Sequence, residues 1–186
     1  MLHRAFVIFL TGLCWVPSSI GREEMADSKA AVQNFYTTVL TFKQGGVPSP
    51  HDLSRLSPFI SLAFADRLLK ARQAEVLYAR KTKGESPPLV EGMLFFSLFE
   101  GANRYTKITR EPAEKPVSFL VDLEYTDPGD ELHSVHWHDR AILIQENHKW
   151  VVDDLELLGD WQFGAKGKLS DILRNVVKEA NEPVAP

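Results

Sequence analysis

Apolar positions change period along the chain, from about 3.6 in the first part to 2 further on, and back to 3.6 at the end. Val32, Phe35, Tyr36, Val39 and Phe42 stand three and four residues apart, the stripe of a helix with one buried face. The pattern predicts a first helix from Ser28 to about Lys43, with Asp27 as N-cap and Gln44-Gly45-Gly46 as its end. After the stiff run Pro48-Ser49-Pro50, a short helix is expected over residues 51–56. Ser57-Pro58 sets a hydroxyl N-cap before a proline, a start signal for a helix running to about Lys81. Ile60, Phe64, Leu68 and Ala71 would share its inner face. Arg67, Lys70, Arg72, Arg80, Lys81 and Lys83 make its second half basic. That reads either as an anion-binding face or as a solvated surface with cations at the negative end of the dipole. Residues 89–100 are apolar without a clear period and fit a strand or a collapsed loop lying across a sheet.

From Tyr105 the period is two. Val117, Phe119, Val121, Leu123 and Tyr125 alternate with polar residues, so Asp122 and Glu124 face away from Phe119 and Leu123. Asp127-Pro128-Gly129-Asp130 is a turn by residue type. Strands are expected over residues 135–145 and 149–157, joined by Glu146-Asn147-His148. So short a connection makes them a hairpin. Leu169, Ile172, Leu173, Val176 and Val177 then mark a closing amphipathic helix near residues 169–180. Helices, a run of antiparallel strands and a last helix argue an α+β fold, with helices packed on one face of a curved sheet. Phe35, Leu68, Phe119, Leu143 and Val152 are the expected shared core.

The first residues carry an address. Arg4 precedes a mostly apolar run from Ala5 to Val16, too short to span a bilayer and suited to a signal-peptide core. Pro17, then the small residues Ser19 and Gly21, place the expected cleavage after Gly21. The division is a signal peptide over residues 1–21, one α+β domain over 22–181 and a tail over 182–186. The expected location is the periplasm or the exterior, with no stable membrane insertion after signal removal. The single cysteine, Cys14, lies in the apolar run and lacks the small preceding residue of a lipoprotein signal. A mature chain without cysteine suits an oxidising compartment and excludes thiol catalysis. The 21 Lys and Arg against 25 Asp and Glu leave a formal charge of −4, which gives no electrostatic ground for a nucleic-acid partner.

Trp137-His138-Asp139-Arg140-Ala141-Ile142-Leu143-Ile144, followed by Glu146-Asn147-His148-Lys149-Trp150-Val151-Val152-Asp153-Asp154-Leu155-Glu156-Leu157, resembles the last hairpin of cone-shaped NTF2-like domains. More narrowly, it is similar to the DUF3828 group of secreted bacterial proteins. That group tends to open with a helix like that over residues 32–42. It tends to close with a Trp-Val-Val-Asp-Asp-like strand, a glycine-containing loop and a helix. The resemblance spans roughly residues 30–177 and implies a cone with a pocket between helices and sheet. It transfers no catalytic residues.

Catalytic members of the superfamily place an Asp, or an Asp–His pair, in that pocket. Asp153 and Asp154 are neighbours, so alternation would send one of them inward. An acid in an apolar pocket would have a raised pKa and suit a general base. The other reading is an acid that caps a loop or pairs with Arg140. His133, His136 and His138 are the other candidates, and His136 and His138 share a strand face at i and i+2. That spacing tempts a zinc site, but Trp137 between them belongs to the core side and sends both imidazoles to solvent. No metal and no cofactor is expected. No glycine-rich phosphate loop or nucleophile elbow is present.

The reading that follows is an exported binding or interaction domain, with an apolar pocket for a small ligand or an envelope protein, and a homodimer through the sheet as a further expectation. Two alternatives stand beside it. One is a small isomerase or dehydratase using Asp153 or Asp154 with His136 or His138. The other is an envelope interaction factor that inhibits a partner or helps assembly.

Overall fold

The first helix, α1 (Ser19–Val39), begins well before the expected N-cap at Asp27 and stops short of Lys43. Upstream, Glu23, Glu24, Met25 and Ala26 are all good helix formers, so nothing breaks the helix at Asp27. At the other end Thr38 and Thr41 bond to backbone carbonyls, and the chain turns at Leu40 and Thr41. The computed structural model describes residues 19–84, 86–112, 116–161 and 164–183, with residues 19, 20 and 130–132 by backbone alone. The signal-peptide reading, Cys14 included, therefore lies outside the described residues except for Ser19–Gly21. The last residues of the tail also lie outside.

Helix α2 (Pro50–Leu56) has Ser49 as N-cap, its hydroxyl accepting from the Asp52 amide at 3.2 Å. Ser57–Phe59 is a single 3-10 turn rather than the start of the next helix. That helix, α3 (Leu62–Lys81), is capped instead by Ser61, whose hydroxyl accepts from the Phe64 amide at 2.9 Å. Between turn and helix, Ile60 is extended and bridges Val152, and the Ser61 amide donates to the Val152 carbonyl at 2.9 Å. Tertiary pairing thus overrides the Ser57-Pro58 start signal.

The sheet consists of β1 (Arg104–Arg110), β2 (Val117–Asp127), β3 (Asp130–Glu146), β4 (Lys149–Leu158) and β5 (Lys166–Lys168), in chain order with every neighbouring pair antiparallel. Helix α4 (Leu169–Asn181) follows β5 directly. Among the described residues the chain is α+β, with four α-helices and this one sheet. Asn147 and His148 form the two-residue β3–β4 turn, both in the left-handed region with φ of 48° and 64°. That geometry matches the twist of a hairpin. Residues 89–100 form neither helix nor strand; of the two readings, the collapsed loop is the one found.

Phe119, Val121 and Leu123 of β2, Trp137, Ala141 and Leu143 of β3, and Val152, Leu155 and Leu157 of β4 are buried together. Phe35 and Tyr36 of α1 and Phe64 and Leu68 of α3 meet them. The loop contributes Phe95, whose ring packs edge-on against Phe35 at 5.7 Å. The expected quintet Phe35, Leu68, Phe119, Leu143 and Val152 lies within this core. No helix among the described residues is long and apolar enough to cross a membrane.

Candidate functional site

Alternation along β3 places Trp137, Asp139, Ala141 and Leu143 on the inner face, and Asp139 is fully buried there. One carboxylate oxygen of Asp139 accepts from the Ser97 amide at 3.0 Å and from the Trp137 indole N–H at 3.0 Å. The other accepts from the Ser97 hydroxyl and from the Leu158 amide at 2.9 Å. A carboxylate has about four lone-pair sites, and here four protein donors occupy them. Burial raises the Asp139 pKa above its ordinary value, while the hydrogen bonds from Ser97, Leu158 and Trp137 pull against that rise. The Tyr36 hydroxyl is buried without a hydrogen-bond partner among the described residues. Its pKa is raised well above the ordinary value, first by burial and then by the charge of Asp139.

Ser97 completes the junction. Its hydroxyl oxygen accepts from the Gly159 amide at 2.8 Å, and its carbonyl from the Ala165 amide at 2.9 Å. One residue of the loop is thereby tied to β3, to the exit of β4 and to the chain leading into β5. Gly159 makes this close approach feasible, since a Cβ there would meet the Ser97 side chain at 2.5 Å and the Trp161 ring at 2.1 Å.

Beside this junction lies a cavity of about 230 Å³, walled by Leu89, Leu94, Phe96, Leu157 and Ile172, with Ser97 in its lining. It opens between the loop, β4 and α4. Phe99 lines it too and is 53% exposed. The same ring borders a second, open hollow of about 480 Å³ with Gly45, Arg72 and Glu75. Glu75 holds the loop from below, its carboxylate accepting from the Val90 amide at 2.8 Å.

The tandem acids sit elsewhere. Strict alternation fails at Asp153, because Ile142 pairs with Asp154 while Leu143 pairs with Val152, leaving Asp153 as the extra residue of a bulge. Its carboxylate accepts from the Ser61 hydroxyl at 2.5 Å and pairs with Arg67 at 3.3 Å. Asp154 accepts from the Ser170 amide at 3.0 Å and the Ser170 hydroxyl at 2.6 Å. The N-cap residue of α4, Lys168, makes no side-chain cap bond, so Asp154 supplies that cap from β4. Neither acid bonds Arg140, which lies between Glu111 and Glu156.

His136 and His138 are exposed on the opposite face of β3 from Trp137. His138 Nδ1 lies 3.0 Å from Asp122, and His136 Nδ1 lies 3.7 Å from Glu124 on β2. Glu124 is buried beneath Arg104, which bonds both its carboxylate oxygens at 2.6 and 2.8 Å. That hydrogen bond, with the Arg104 charge, holds the Glu124 pKa below its ordinary value. His133 is exposed near the start of β3. The four candidate residues are not brought together. His138 is four residues from Ile142, the partner of Asp154, or roughly 13 Å along the strand. No group of three or more His, Cys, Asp and Glu residues placed to hold a metal ion is present among the described residues.

Asp139 lies in the hairpin segment that carries the resemblance, which assigns it no role. Its one signal in the sequence is the alternation that already assigns Trp137 to the core, which sets Asp139 on the same face. Ser97 has no such signal, because the loop that carries it has no period. Comparison with known proteins adds nothing to this geometry: no family model and no curated protein matches the chain.

Proposed function

We propose that the chain is a non-catalytic binding domain that takes a small apolar ligand, or one apolar group of a larger one, in the cavity between the 89–99 loop, β4 and α4. The observation that carries this reading is the cavity itself, about 230 Å³ with walls of Leu, Phe and Ile side chains. That is below the usual range of about 300–1,000 Å³ for drug-sized ligands. It suits a short aliphatic chain or a single ring. Phe99, half-exposed at its border, offers the ligand a further apolar surface.

The hydrogen bonding of the acids supports the absence of catalysis. Asp139 has its acceptor sites taken by Ser97, Trp137 and Leu158, and a general base needs a free lone pair within reach of the proton it removes. Asp153 and Asp154 are engaged at the starts of α3 and α4. Export through residues 1–21 and an NTF2-like cone remain part of the proposal. The antiparallel order of the sheet, helices packed against its inner face and the bulges in β1 and β4 support the cone.

Titration with N-phenyl-1-naphthylamine tests the reading. The fluorescence of the probe is expected to rise and saturate with the unaltered protein. Ala165→Trp, an exposed position in the cavity lining, is expected to abolish the rise while leaving the thermal transition in place. Equal saturation by both proteins, or no binding by either, would overturn it.

A further inference from the structure

Of the six large hydrophobic residues exposed among the described residues, four lie on α3: Leu62, Leu69, Val76 and Leu77, at 75%, 49%, 39% and 48% exposure. Such clustering is unlike the scattered apolar residues that any surface carries. Leu62, Leu69 and Val76 are one heptad apart, and at 100° per residue all four fall within an arc of about 100°. Phe64, Leu68, Ala71 and Ala74, the buried residues of the helix, occupy the opposite side. The stripe therefore cannot serve the core of its own chain.

The charges on the stripe say what covers it. Asp66 stands near its beginning and Arg80 near its end, both on the exposed arc. Arg80 makes no ion pair with any described residue, whereas Asp66 holds only Lys70, one turn along at 2.6 Å in solvent. If a second α3 lies antiparallel on the first, with the two-fold axis at Gln73, residue numbers that sum to 146 face each other. Leu69 then meets the partner copy's Leu77 twice over, and Asp66 meets the partner copy's Arg80 twice over. Val76 then meets the partner copy's Lys70, and Leu62 lies beyond the paired stretch, so the self-complementarity that an isologous two-fold interface requires rests on Leu69 with Leu77 and on Asp66 with Arg80.

We propose that α3 is the docking surface for a second copy of this chain, packed antiparallel about Gln73. This is a different surface from the sheet expected from the sequence, and it is independent of the apolar cavity. A single helix pair of this length buries less than the roughly 1,200–2,000 Å² of a standard interface. The dimer accordingly forms at micromolar or higher concentration rather than permanently.

Charge reversal with mixing tests the arrangement. In Asp66→Arg alone, arginines face arginines across the axis; in Arg80→Asp alone, aspartates face aspartates. An equimolar mixture of the two variants restores both opposite-charge pairs. Sedimentation equilibrium of the purified protein from about 1 µM to 1 mM, spanning the affinities of weak complexes, is expected to show a monomer–dimer transition. Each variant alone is expected to shift that transition at least tenfold towards monomer, and the mixture to recover it. Both substitutions are at exposed positions, and circular dichroism confirms that each variant folds. A monomer throughout the range, a dimer indifferent to either reversal, or a mixture no better than its components would each overturn the proposal. A surface that serves a different protein would give the first of these results.

Discussion

Ser97 gives both its backbone N–H and its hydroxyl proton to the carboxylate of Asp139, so that a loop without secondary structure is fastened to the middle of a central strand. Asp139→Ala would leave these donors, the Trp137 indole and the Leu158 amide without their acceptor in a dry interior. Removing the buried charge offsets part of that loss. Each orphaned donor nevertheless costs about 1–3 kcal/mol, and the donors outnumber the single charge. Asp139→Ala is expected to lose at least about 3 kcal/mol in urea unfolding. A loss below about 1 kcal/mol would show that the junction contributes little.

The same carboxyl sets one slope of stability against pH. Its folded pKa lies above the unfolded value because of burial. Its contribution is therefore fully present below the ordinary carboxylate pKa and is lost as pH rises through the raised one. Glu111 has the opposite sign: its hydrogen bond to Arg140 lowers its folded pKa, so its contribution is present above the ordinary value and lost as pH falls through the lowered one. Between about pH 5 and pH 3, Glu111→Gln is expected to lose less stability than the unaltered protein. Carbon-detected titration should place the Asp139 carboxyl above the usual aspartate range, and a value at or below that range would contradict the assignment.

Asp154 caps α4 from outside the helix. Asp154→Ala is expected to cost about 1–2 kcal/mol, the scale of a lost N-cap. Hydrogen exchange localises the effect: amides in the first turn of α4, Ser170 among them, should exchange faster while those of β2 do not. Uniform acceleration across the sheet would point to a loss of packing instead.

Phe119 is buried at the centre of the inner face. Its truncation to alanine is expected to cost about 3–5 kcal/mol. An unchanged unfolding midpoint would mean that this region of β2 does not carry the core.

For His136 and His138 a small effect is expected. Both are exposed, and each faces a carboxylate on β2. Alanine at either position should change stability by less than about 0.5 kcal/mol at neutral pH, the range of surface substitutions. Purified protein is expected to hold no stoichiometric zinc by elemental analysis. Zinc that disappears in the double variant would restore the metal reading.

The fold was legible wherever periodicity was long and one-sided. The alternation in β2 and β3 and the stripe in α4 come from single buried faces, and local pattern suffices to find them. It failed where a distant strand decides the outcome. Ile60 leaves the helical path because Val152 offers it a backbone partner, and no neighbouring residue announces this. The tandem acids drew attention as chemistry, yet their partners Ser61, Arg67 and Ser170 lie far off in sequence. Asp139 was within reach of alternation, whereas its value depends on Ser97, which only the folded loop brings near.

Val152 and Leu155 both face the core although they are three residues apart, an odd spacing that plain alternation forbids and that the bulge at Asp153 absorbs. A strand lacking Asp153 would keep Trp150, Val152, Leu155 and Leu157 in phase by simple parity. The sheet thus has no need of this residue. What would go is the acceptor for the Ser61 hydroxyl and Arg67, the side-chain part of the link between β4 and the start of α3, while the backbone bond from Ser61 to Val152 stays. The insertion acts as a branch point, letting one strand address two helices from consecutive positions, and its loss would loosen the start of one helix while leaving the strand's phase intact.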